Sequence, residues 1–264
     1  MPIKVIATDI DGTLLNSHHE LSERNERALK AAIAQGVHVI LATGRPRSSK
    51  AIYLIERLGL QTPGIFLQGL TVFDVDGKLH RESMFDPEIA RLVIEHAEQS
   101  GYTLMAYVGE RIITGVRNQF TEQITRYGEP HPELIGTLHN LTEPFHKLVF
   151  FDDPARIGEM RASVLALLGD RAQIVQTLPE SIEVLPNGIS KGAALRHLLE
   201  DMQIDPMDVI AFGDGENDIE MIQLAGIGVA MGNAMPPLKA VADHITGTND
   251  EDGVAQGIEK FVLG

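Results

Sequence analysis

The sequence predicts an α/β fold with one inserted domain, on three observations. Short apolar runs alternate with amphipathic helical stretches near both ends of the 264-residue chain. Polar, chemistry-bearing residues sit just past several of those runs. In the middle, strand-like runs adjoin each other across short turns, a pattern that belongs to antiparallel pairing.

Lys4 to Thr8 reads as the first strand. Ser22 to Gln35 reads as a helix, with Leu29, Ile33 and nearby alanines on one face and Ser22 as N-cap. Val37 to Ala42 is a second strand and Pro46 to Leu58 a second helix. Downstream, Lys191 to Met202 reads as a helix, Val209 to Phe212 as a strand, Asp218 to Leu224 as a helix and Ile227 to Met231 as a strand. This rhythm predicts a Rossmann-like parallel sheet with helices on both faces. Between these halves, Phe85-Asp86-Pro87 opens a helix that runs to about Ser100. Tyr102 to Val108 and Arg111 to Val116 flank Gly109-Glu110 as a hairpin, and a helix spans Ala155 to Leu168. Gln173 to Thr177 and Ser181 to Leu185 make another strand pair. The expected organisation is a discontinuous core, 1–83 and 188–264, with an α+β insertion at 84–187.

A net charge of −15 argues against nucleic-acid backbones and anionic membranes, which want clustered Lys and Arg. It leaves room for a small anionic substrate, because a local metal and a few cations invert the field. With no cysteine, thiolate metal sites, disulfides and cysteine nucleophiles are excluded. Met1-Pro2-Ile3-Lys4 carries no secretory apolar region, and no apolar run reaches membrane-spanning length. The expectation is a cytoplasmic protein, a monomer or small homo-oligomer, with no nucleic-acid or membrane partner.

The chemistry begins at Asp9-Ile10-Asp11-Gly12-Thr13, just past the first strand. Strand alternation would project Asp9 and Asp11 to the same side. Like charges that close raise each other's pKa unless a cation lies between them, and hard oxygen donors suit magnesium. The pair reads as one nucleophilic carboxylate and one proton donor. Ala42-Thr43-Gly44-Arg45 ends the second strand, where a hydroxyl and backbone N–H groups suit a phosphate oxygen. Lys191, after Ser190, opens a helix, a place where the macrodipole disfavours a cation unless an anion is near. Gly213-Asp214-Gly215-Glu216-Asn217-Asp218 clusters carboxylates past another strand. Each of the four segments falls at or just beyond a strand's carboxyl end, or on a helix start nearby, the edge where open α/β sheets bind ligands, which predicts one shared phosphate-and-metal site.

In this order the four segments resemble the motifs of the haloacid dehalogenase superfamily, and the insertion resembles its Cof-type phosphatase branch, which carries an α/β cap there. Gly226 to Met231 and Gly232-Asn233-Ala234 also fit the branch. Gln68-Gly69 departs from it, since Asn-Gly is the commoner pair there, and is expected to affect a turn and not the chemistry. The resemblance implies magnesium-dependent hydrolysis of small phosphate monoesters, such as sugar phosphates, through an aspartyl-phosphate. Asp9 would be the nucleophile and Asp11 the acid and base. Magnesium would meet the Asp9 and Asp214 side chains, the Asp11 carbonyl, and Asp218 directly or through water. Thr43, Lys191, Asn217 and N–H groups near Ile10 and Gly44 would hold phosphate. Arg45 would orient the leaving group or dock the cap. Two alternatives share the aspartyl-phosphate: a phosphomutase of the same superfamily, and a receiver-like signalling module in which it persists. Thr248 to Gly253 approaches a calcium-loop pattern but reads as an acidic turn before the last helix, and the scattered histidines read as surface or core residues.

Overall fold

Val5-Ile6-Ala7-Thr8 is apolar but for one β-branched hydroxyl, and these four buried residues form β1 (Val5–Thr8). The computed structural model describes residues 2–127, 129–141 and 143–264. Ser22 caps α1 (Glu23–Ala34) by accepting from the Asn25 N–H, and Glu23 and Glu26 complement the first-turn dipole. β2 (His38–Leu41) follows. α2 (Ser49–Leu58) begins three residues later than Pro46, because the Ser48 N–H closes a tight turn onto the Pro46 carbonyl. Gly59, at φ 67°, ends α2 in the left-handed conformation that a side chain resists.

An antiparallel sheet comes next, made of β3 (Gly64–Phe66), β4 (Thr71–Phe73) and β5 (Leu79–Glu82). Asp74 and Lys78 close the turn between β4 and β5, with Gly77 at φ 81°.

The central segment holds α3 (Pro87–Ser100), β6 (Thr103–Val108), β7 (Arg111–Thr114), α4 (Gln119–Gln123), β8 (Glu133–Leu134), β9 (Lys147–Phe151), α5 (Ile157–Leu168), β10 (Ala172–Leu178) and β11 (Ser181–Pro186). Asp86 caps α3, with Pro87 at the first turn where its missing N–H costs nothing. The strands form one sheet in the order β10-β11-β9-β6-β7-β8. Val93 and Ile94 of α3 and Met160 and Val164 of α5 share a buried core with Leu104, Leu148, Phe150 and Val184.

The chain then forms α6 (Lys191–Met202), β12 (Val209–Gly213), α7 (Ile219–Leu224), β13 (Ile227–Ala230), α8 (Pro236–Val241), β14 (His244–Ile245) and α9 (Gly253–Ile258). Thr248 and Glu251 form a capping box, so the acidic stretch is a turn leading into α9. β14-β13-β12-β1-β2 make a wholly parallel sheet. Chain order runs outward from β1 to β2 on one side and from β12 to β14 on the other. The topological switch therefore lies between β1 and β12, where Ala7 faces Ala211. Two compact units result, Met1–Glu82 with Ser190–Gly264, and Ser83–Ile189. Among the described residues no helix is long and apolar enough to cross a membrane.

Candidate active site

β1 and β12 deliver their next residues to the same place. The Asp9 N–H donates to the Phe212 carbonyl at 3.0 Å, and the chain then turns out of the sheet. Gly12 sits at φ 79°, and a Cβ there would come within 2.4 Å of the Asp214 carboxylate. Glycine is required twice over, for the turn and for the close approach. The Thr13 hydroxyl donates to Asp214 at 2.8 Å.

Lys191 joins the carboxylates. Its Nζ donates to Asp9 Oδ1 at 2.6 Å and to Asp218 Oδ1 at 2.8 Å, with all three side chains buried. Ser190 caps α6 by accepting from the Ala193 N–H, which fixes where the lysine leaves the helix. The second oxygen of Asp218 accepts from the N–H groups of Asp214 and Gly215, both at 3.0 Å. Oxygens of Asp9, Asp214 and Asp218 lie within 4.8 Å of one another. This donor set is all hard oxygen and exceeds in negative charge what one lysine neutralises, so it fits a divalent cation of the magnesium class.

The electrostatics show the same imbalance. Burial pushes the Asp9 carboxyl well above the usual carboxylate range; Lys191 opposes this, and Asp218, Asp214 and Asp11 add to it. Burial, then the Asp218 charge, pushes Asp214 up to about 7, against the Thr13 hydrogen bond. Burial works against the Lys191 ammonium, but Asp218 and Asp9 outweigh it and hold its pKa above the ordinary lysine value. Between the ordinary carboxylate pKa and about 7, the ion-free folded state binds more protons than the unfolded chain, so stability falls as pH rises. From about pH 5 to about pH 8, chelated protein should lose melting temperature, and Asp214→Asn should flatten that slope. Saturating magnesium should raise the melting temperature most at the alkaline end. Identical slopes in both proteins would contradict this charge balance.

Asp11 lies beside the trio but turns its carboxylate elsewhere. Arg45 grips it with two guanidinium bonds, of 2.5 and 2.7 Å, and His19 Nδ1 lies 3.3 Å from it. Strand alternation does not reach Asp11, because β1 ends at Thr8 and the chain leaves the sheet, with Gly12 at φ 79°. Thr43 accepts from the Arg45 N–H at 3.1 Å, so the loop after β2 is folded back on itself. Asn217 donates its Nδ2 to Gln68 Oε1 at 2.9 Å, and the Gln68 amide lies against Gly44. Asp9, Lys191, Asp214 and Asp218 are thus brought into one cluster, with Asp11 and Arg45 beside it. Ile10 is buried, its carbonyl accepting from the Leu15 N–H.

Sequence reasoning missed Thr13, His19 and the side chain of Gln68 as neighbours of this cluster. Only Thr13 had a local signal, its hydroxyl inside the first acidic segment. Asn233, of the Gly232-Asn233-Ala234 segment, donates its Nδ2 to the Gly12 carbonyl at 2.8 Å and steadies the acidic turn.

The sequence profile of the haloacid dehalogenase-like hydrolase family matches residues 6–258. The chain belongs to that family. Within this hydrolase family it falls in the Cof-type branch. It is 33% identical over 263 residues to 5-amino-6-(5-phospho-D-ribitylamino)uracil phosphatase YcsE of Bacillus subtilis, covering 99% of this chain and 96% of that one. A chloroplastic protein of Arabidopsis thaliana named Endoribonuclease YBEY is 36% identical over 271 residues, 98% of this chain. The chain spans only 46% of that relative, so the ribonuclease name describes a longer protein. A solved haloacid dehalogenase-like hydrolase from Bacteroides thetaiotaomicron superposes with a TM-score of 0.84 at 32% identity, covering 98% of this chain and 99% of that one.

Proposed function

We propose that this hydrolase is a magnesium-dependent phosphatase that cleaves a small phosphate monoester, a sugar or polyol phosphate or a similar metabolite, through an aspartyl-phosphate on Asp9. The observation that carries this reading is Lys191 bridging Asp9 and Asp218 in a buried site crowded with carboxylates. Asp9 Oδ1 is held by that lysine, while Oδ2 takes no hydrogen bond among the described residues. Oδ2 is the atom to attack phosphorus.

In the first half-reaction Asp9 Oδ2 forms a bond to phosphorus. The ester P–O bond breaks, its electron pair goes to the leaving oxygen, and Asp11 supplies that oxygen with a proton. In the second, Asp11 takes a proton from water, the water oxygen bonds phosphorus, and the Asp9 oxygen leaves. Arg45 donates to both Asp11 oxygens, so substrate must loosen this pair before Asp11 donates. Lys191 holds Asp9 in position and offers positive charge to the phosphoryl oxygens. Thr43, Asn217 and the N–H groups near Ile10 and Gly44 receive the remaining phosphate oxygens. Asp9, Asp214 and the Asp11 carbonyl would hold magnesium. Asp218, whose two oxygens already take Lys191 and two N–H groups, suits a water-mediated place. Bound magnesium supplies charge neutralisation for the phosphoryl oxygens and the carboxylates. The Ser83–Ile189 unit serves as the cap that selects the ester.

A relative whose name gives a phospho-ribityl compound as its substrate supports the polyol-phosphate class. The test is a screen of phosphorylated metabolites with magnesium and no bisphosphate activator. Free phosphate should appear, vanish with chelator and return with magnesium. Sugar isomer formed without phosphate would instead favour a mutase, and a long-lived phospho-Asp9 without turnover would favour a signalling module.

A further inference from the structure

The turn between β3 and β4 is strained. Leu67, Gln68 and Gly69 lie in succession at φ 49°, 63° and 100°, and the first two are not glycine. Adjacent left-handed residues with side chains persist only where their surroundings over-determine them, and such strain gathers at functional sites.

Those surroundings belong to the active site. The Leu67 N–H donates to the Arg45 carbonyl at 2.9 Å, and the Gln68 N–H to the Thr43 carbonyl at 3.0 Å. Gly69 lies on the start of α6, where a Cβ would meet the Ser190 carbonyl oxygen at 2.4 Å. The Gln68 side chain is 1% exposed. Its Oε1 accepts from Asn217 Nδ2 at 2.9 Å, and a Cβ on Gly44 would come within 2.5 Å of its Nε2. One three-residue turn therefore touches the Thr43 loop, the helix that begins at Lys191, and Asn217.

We propose that Gln68 is a positioning residue for the phosphate subsite. Its carboxamide fixes the rotamer and amide orientation of Asn217 and lies on the Gly44 backbone. One N–H of Asn217 is then spent on Gln68, and the other is left for a phosphoryl oxygen. The proposal rests on the reading of Asn217 and Gly44 as phosphate binders. An asparagine at this position, one methylene shorter, would not keep both contacts from the same backbone. The subsite in this chain is built on the longer side chain.

A double-mutant cycle tests this, with inorganic phosphate as the probe and its inhibition constant against the magnesium-loaded enzyme as the readout. Gln68→Leu should weaken phosphate by about tenfold, raising KM more than it lowers kcat. Gln68→Met, similar in length and more pliable, serves as the second variant should the leucine disturb the fold. In an Asn217→Ala background the Gln68 change should add almost nothing, because the partner it positions is gone. Effects that multiply independently, or unchanged phosphate binding in both Gln68 variants while Asn217→Ala binds weakly, would overturn the proposal alone. Unchanged binding in Asn217→Ala itself would overturn the phosphate reading, and the proposal with it.

Discussion

Asp9→Asn should leave a folded protein whose turnover of any phosphate ester falls by roughly four orders of magnitude or more. The amide keeps the shape of the carboxylate and can still accept from Lys191. It offers no anionic oxygen to phosphorus. The stability change should have the opposite sign. Burial and three nearby carboxylates disfavour the Asp9 charge, so its removal relieves the ion-free fold. The chelated variant should melt no lower than chelated wild type and should gain less from magnesium. Near-normal turnover would remove Asp9 as nucleophile. A large drop in melting temperature with chelator present would contradict the picture of an overcharged pocket.

Lys191→Met should damage both stability and rate. The ammonium is buried and bonded to two buried carboxylates, which the methionine would leave facing each other with no cation. Removing one partner of a buried ion pair costs about 3–5 kcal/mol. Part of that loss should return with magnesium, which can take over some of the neutralisation. Turnover should not recover with it, because a preorganised positive charge aimed at the phosphoryl oxygens is worth roughly 10²–10³ in kcat. Calorimetry with and without magnesium, beside initial rates at saturating ester, separates the two effects. Unchanged stability in chelator would mean that Asp9 and Asp218 do not depend on the lysine.

The fold was legible because strand ends and helix starts carry local signals. The Val5–Thr8 run, the Ser22 and Asp86 caps and the helix that opens at Lys191 are written in residue types whose preferences tertiary packing did not override. Helix α2 starts later than its apolar pattern suggests, because Pro46 to Ser48 turn before the helix. The neighbourhood of Asp9, Asp214 and Asp218 follows from a general rule, since their segments leave β1 and β12 at the sheet's ligand-binding edge, and Lys191 reaches them from the start of α6. What the chain did not announce was pairing among polar side chains. Arg45 on Asp11 depends on a turn that ends strand alternation. Gln68 on Asn217 joins positions 149 residues apart through a left-handed backbone that no glutamine advertises.

The central claim is that Asp9 accepts the phosphoryl group before water does, and the stereochemical course at phosphorus tests it most directly. An ester made chiral at phosphorus with sulfur and oxygen isotopes would be hydrolysed in water labelled with a further isotope. Two successive in-line displacements predict net retention of configuration. Net inversion would mean that water attacks the ester directly, and Asp9 would then be no nucleophile.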